Sequence, residues 1–164
     1  MNMNAIMKMM LLVGLGFVMS CGPRYFEGAE VHFVQDETEF EIVTGDTIRY
    51  RASADNSHIY RLNLSSEDGD LTLGFPSDEE QAYFGDNVYI NREVRIGFED
   101  VQYTSTSSYN CDNTNETIEV TSNEYGLVSG TFAAHLCKRF SSSVGPERML
   151  IVGTFAATVE ESRW

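Results

Sequence analysis

The side chains that could do chemistry are few in this chain, and their spacing brings none of them together. Its histidines are His32, His58 and His135. A nucleophilic triad needs a serine or thiol held against a base, and the base held by a third group. Serines are plentiful, but none sits in a Gly-x-Ser-x-Gly turn. His32 and His135 alternate with apolar neighbours, which puts them on the outward side of strands, and His58 stands at a strand start. The acid pairs Glu79-Glu80 and Glu99-Asp100 fall in stretches that read as turns. The two carboxylates of a glycosidase come from distant positions, so adjacency is no signal for them. Glu67-Asp68-Gly69-Asp70 offers oxygen ligands without the spacing of a calcium loop. The expectation is a chain that is not an enzyme and has neither a cofactor nor a metal site.

The amino terminus and the cysteines are more specific. Lys8 is the only charge in residues 1–20, and residues 9–19 are almost wholly apolar. The run is short for a permanent membrane span and ends in small residues, as secretory signal peptides do. It closes on Val18-Met19-Ser20-Cys21. That tetrapeptide resembles the cleavage box of bacterial lipoproteins, although Met19 is an unusual occupant of its position. The resemblance implies cleavage before Cys21, a diacylglycerol on its sulfur and acylation of the new amino terminus. Several acyl chains anchor stably, since each buried methylene adds about 0.8 kcal/mol. Gly22 in place of an acidic residue favours the outer membrane. With Cys21 lipidated, Cys111 and Cys137 remain in an oxidising compartment, where a pair is most simply a disulfide. Closing a loop of this length contributes on the order of 3 kcal/mol.

Charge narrows the partners. The formal net charge is -14, and loss of Lys8 with the signal makes the chain more acidic still. Such a chain is repelled by nucleic acid, which is excluded as a partner, and by anionic lipid headgroups. Apart from Lys138, arginine supplies the positive charge beyond the signal. Arg49, Arg51, Arg61, Arg92 and Arg95 lie in or beside predicted strands. An arginine on a strand covers apolar surface with its stem and pairs with carboxylates, or joins others to hold a sugar or phosphate.

The rest of the chain must position whatever does the work, and its pattern is period-2 throughout. Residues 31–43, 47–54, 59–64, 71–75, 87–90, 94–98, 101–103 and 117–122 alternate apolar with polar residues between Gly, Asn and Asp turns. Residues 76–81 could hold one helical turn capped by Ser77. Residues 104–108 read as an exposed edge. Near the end a phrase occurs twice: Gly130-Thr131-Phe132-Ala133-Ala134 and Gly153-Thr154-Phe155-Ala156-Ala157. Each places Gly, Phe and Ala on one face of a strand, and the two strands are expected to be neighbours. A glycine two before a phenylalanine makes room for a ring from another strand, or for a bend. The expected fold is all-β, an antiparallel meander forming a β-sandwich or small β-barrel with little helix. Residues 1–20 are the signal, 21–29 a lipidated tether and 30–160 a single domain.

The order of these features is similar to that in small lipoproteins of unknown function from Bacteroidetes-type bacteria. Their closing hairpin carries Val-Ser-Gly-Thr-Phe, as at Val128–Phe132, and then a second Gly-x-Phe, as at Gly153–Phe155. Val152 departs from the more polar residue of those proteins, and the cysteine pair is an addition. The resemblance implies a β fold and no activity. Asp46-Thr47-Ile48 also matches a pattern that some of these bacteria O-glycosylate at the threonine. Two readings of function follow. One is a non-catalytic binding or accessory module for a protein or glycan, anchored to the outer membrane through acylated Cys21. The other is a small-ligand-binding barrel resembling lipocalins, lined by Tyr50, Tyr60, Tyr83, Tyr89, Tyr103 and Tyr109. Alkylation of the native protein without reductant is expected to label neither Cys111 nor Cys137; labelling of both would refute the disulfide.

Overall fold

The structure, a computed structural model, describes residues 28–52, 58–84, 88–105, 115–139 and 144–160. The signal segment, Cys21 and most of the tether lie outside these residues, as do Cys111, Tyr109 and residues 106–108. The described residues form strands and turns and no helix. The strands are β1 (Ala29–Gln35), β2 (Thr38–Thr44), β3 (Ile48–Ala52), β4 (His58–Ser66), β5 (Gly69–Phe75), β6 (Ala82–Phe84), β7 (Tyr89–Ile96), β8 (Glu99–Thr104), β9 (Thr117–Glu124), β10 (Leu127–Lys138) and β11 (Arg148–Glu160).

Hydrogen bonding runs β2-β1-β11-β3-β4-β5-β7-β8-β10-β9-β6, and β10 also bonds β11. The chain of strands therefore closes on itself. Within this one sheet, β2-β1-β11-β10-β9-β6 are called the hairpin layer and β3-β4-β5-β7-β8 the meander layer. The layers join at two opposite corners. Cys137 at the end of β10 pairs with Thr104 of β8. Val159 at the end of β11 pairs with Ile48 of β3. The fold is thus all-β with strands that bond in a ring, consistent with a β-sandwich or a small β-barrel. One feature departs from the expected antiparallel meander: β11 and β3 run parallel. After Thr44-Gly45 the chain changes layer, so β3 starts beside the end of β11 instead of folding back on β2.

The repeated phrase explains the long seam. β10 and β11 pair from Leu127↔Thr158 to Cys137↔Arg148, which sets Gly130 opposite Phe155 and Phe132 opposite Gly153. A Cβ at Gly130 would stand 2.7 Å from the Phe155 ring, and one at Gly153 would stand 2.7 Å from the Phe132 ring. Each ring lies over the glycine of the other strand. Phe155 also reaches across to Phe75 of β5, with ring centroids 5.8 Å apart, and Phe75 stacks on Tyr60 at 6.0 Å. Aromatic pairs of this kind add about 0.5–1.5 kcal/mol each beyond the area they bury. Ile48, Leu62, Leu71, Leu73, Ile90, Ile118, Leu136 and Ile151 fill the remaining space between the layers.

Three local expectations are corrected. Residues 76–81 form no helical turn; the Ser77 hydroxyl instead accepts the Glu79 N–H at 3.2 Å, a local bond that competes with helix. Residues 89–96 are one continuous strand, and its turn is Gly97-Phe98 rather than Glu99-Asp100, because Gly97 takes the positive φ of 65° that the turn requires. Thr104 and Ser105 are not an exposed edge. Thr104 lies between Asn91 and Cys137, and the buried Ser105 bonds Ile90 through both its N–H and its hydroxyl. Gly130→Val or Gly153→Val should lower stability by about 1–3 kcal/mol through overpacking; an unchanged melting temperature would contradict the ring-over-glycine arrangement.

Candidate functional site

The outer face of the meander layer carries three polar rows set by register. Arg61, Gly74 and Tyr89 lie side by side on β4, β5 and β7. The next row is Asn63, Thr72, Asn91 and Thr104, and the third contains Ser65 beside Asp70 and Glu93 beside Gln102. The inward residues between them are the apolar Leu62, Leu64, Leu71, Leu73 and Ile90, so the alternation that builds the core also places these polar groups outside.

Asp70, Thr72, Asn91, Glu93, Gln102, Thr104 and Arg139 surround a cleft of 180 Å³ on this face. Its polar groups are wired together. Gln102 donates from Nε2 to Glu93 Oε2 at 2.9 Å and accepts at Oε1 from Arg139 Nη1 at 3.4 Å. The Arg139 N–H donates to the Gln102 carbonyl at 2.8 Å, which fixes the chain after β10 against β8. Thr72 donates to Asn63 Oδ1 at 3.1 Å. Tyr89 bounds the same face. Its ring lies against Gly74, where any Cβ would collide with it, and Arg61 stacks over it at 5.3 Å while donating to its hydroxyl. The arrangement offers fixed donors and acceptors on an open surface. Glu93 is paired with an amide, and the described residues that line the cleft include no serine or cysteine.

Beneath the cleft end lies Arg92, 1% exposed and, among the described residues, the largest fully buried side chain. It shares the inward face of β7 with Ile90 and Val94. Its Nε donates to Gln35 Oε1 at 3.1 Å, and its terminal nitrogens donate to the carbonyls of Asp70 at 3.3 Å and Asp68 at 3.1 Å. The guanidinium also lies 5.3 Å from the Phe33 ring and 5.4 Å from the Phe40 ring. Burial lowers its pKa, and the charges of Asp68 and Asp70 oppose that shift. One guanidinium thus ties the β1–β2 and β4–β5 turns across both layers. The signal for it in sequence was its parity with Ile90, Val94 and Ile96.

Of the other arginines with described side chains, Arg49 and Arg61 are register partners across β3 and β4. Arg49 pairs with Glu160 at 3.2 Å and Arg95 with Asp100 at 3.1 Å, both exposed. Tyr83 and Tyr103 are buried and Tyr60 packs against the core, while Tyr89 faces outward. His32 and His135 are exposed on the outer face of the hairpin layer. Thr47 is half-buried and donates to Glu160 Oε2 at 3.4 Å. Cys137 is buried at the end of β10; its expected partner Cys111 lies outside the described residues.

Tyr103 anchors the loop beside the cleft by donating to the Pro146 carbonyl at 3.1 Å. Burial pushes its phenol pKa above 10.0, and the charges of Asp36 and Glu147 push it further. The folded state therefore holds this proton more tightly than the unfolded chain. Its contribution is full below about pH 10 and is lost as pH rises through the folded pKa. Tyr103→Phe should lose about 1 kcal/mol near neutrality and decline less steeply than the wild type in alkali. Parallel melting curves from pH 7 to 11 would contradict this.

No family model matches the chain, and neither the curated proteins nor the solved structures gave a match.

Proposed function

We propose that this chain is a non-catalytic glycan-binding accessory module, held on a bacterial outer membrane by acylated Cys21 and taking a neutral sugar unit in the cleft of the meander layer. The observation that carries this reading is the hydrogen-bonded set of Arg139, Gln102 and Glu93, with Asn91 beside it, on an open sheet face. Sugar hydroxyls both donate and accept, and amide, carboxylate and guanidinium groups answer them in both senses. The volume of 180 Å³ falls below the range of about 300–1,000 Å³ that encloses drug-sized ligands, which suits one sugar ring or the end of a chain. Glu93 and Asp70 disfavour an anionic sugar.

Chain entry fits this use. The Gly28 N–H donates to Thr158 Oγ1 at 3.1 Å, beside the β9–β10 turn, where the Val159 N–H donates to the Gly126 carbonyl at 2.8 Å. Asp70 and Glu93 lie toward the opposite end, next to the turns tied by Arg92. A tether joined at Gly28 would meet the domain at the end away from Asp70 and Glu93. A Cys111–Cys137 disulfide would brace the corner at which β10 meets β8, close to Gln102 and Arg139. The alternative, a carrier that holds a small ligand between its β layers, has less in its favour, because Phe75, Phe132, Phe155 and their apolar neighbours pack that space.

A protein partner is the second reading, favoured by one observation. Val34, Val152, Ala133, Thr117 and Phe84 are successive neighbours across the outer face of the hairpin layer, and Val152 and Phe84 are exposed.

The test is a glycan array probed with the folded domain, followed by Asn91→Ala and Gln102→Ala. A neutral glycan should be retained, with affinity falling about tenfold for loss of each well-made polar contact. Absence of any glycan binding, or binding untouched by both substitutions, would contradict the proposal.

A further inference from the structure

We propose that Glu30, His32 and Glu41 form a surface site for a divalent transition-metal ion of the zinc or copper type, separate from the cleft and on the opposite layer. Spacing along the chain does not reveal it, because its third member is distant in sequence. Residues 30 and 32 share a face of β1 by the two-residue period of a strand. The β1–β2 register then sets Glu41 directly opposite His32. One imidazole nitrogen and two carboxylate oxygens converge, all within 4.8 Å of one another. His32 Nε2 lies 2.7 Å from Glu30 Oε1 and 3.9 Å from Glu41 Oε1.

The geometry suits an ion. Zinc bonds nitrogen and oxygen at about 2.0–2.2 Å, and tetrahedral bonds of that length set ligand atoms about 3.3–3.5 Å apart. The two separations stand on either side of that value, so small rotations of exposed side chains bring the three atoms into place. The imidazole is what selects the ion. Calcium and magnesium take oxygen ligands, whereas imidazole with carboxylate suits zinc or copper. Charge favours it too: two carboxylates and a neutral imidazole balance a divalent cation, and the strongly acidic chain draws cations to its surface. Three protein ligands on an open sheet face leave the remaining positions to water or to an incoming group.

The experiment is calorimetric titration of the full chain with zinc chloride, repeated with copper, on the wild type and on His32→Ala, Glu41→Gln and His135→Ala. All three positions are exposed, and circular dichroism checks that each variant is folded. The expected result is one ion bound per chain, with affinity reduced at least ~10-fold by His32→Ala or Glu41→Gln and unchanged by His135→Ala. No binding of either ion to the wild type, or full affinity in His32→Ala, would overturn the site.

Discussion

The structure depends on the pairing of β10 with β11. These strands are the only two, among those described, that bond to three others each: β11 to β1, β10 and β3, and β10 to β11, β9 and β8. Their seam is therefore both the middle of one layer and the two corners that lead to the other. Two bulky rings and two glycines make it possible. Phe155 over Gly130 and Phe132 over Gly153 let large side chains lie flat in the seam while still reaching the opposite layer. Burying apolar surface in this way is the main stabilising effect for the described strands and turns.

At the end of the fold away from Gly28 the solution is different. A charge is buried there, which is costly unless its hydrogen bonds are met. Arg92 meets them with two main-chain carbonyls and an amide, and spreads its flat face near two stacked rings. The same guanidinium holds the turns that begin the cleft, so the candidate site rests on a rigid element. Lys138 plays a lesser part nearby, its ammonium bonded to Glu147 at 2.8 Å and to the Gly145 carbonyl at 3.3 Å. Positive charge is scarce in this chain, and these two cations serve to fix turns and loops.

Much of the fold was legible in sequence, because strand alternation reports which face is buried and says so residue by residue. The hairpin of β4 with β5, the neighbouring twin strands and the outward His32 and His135 were all read from that period. Layer membership was not legible. Nothing local in Ile48 says that it pairs with Val159 in parallel, since that choice is made by closure of the whole ring. Ser105 misled for a similar reason. Hydroxyl-rich strand ends are usually exposed, but this one is covered by β7 and its hydroxyl replaces a missing ladder bond. The cleft was invisible because Thr72, Asn91 and Gln102 are ordinary outward residues of three separate strands, and register alone assembles them.

The most direct test of the account is a nuclear magnetic resonance titration of the labelled domain with neutral mono- and disaccharides. Shifted amides should gather at Thr72, Asn91, Glu93, Gln102 and Arg139, on the outer face of the meander layer. Shifts centred on Phe75, Phe132 and Phe155 would place the ligand between the layers and contradict it, as would spectra that do not change with any sugar.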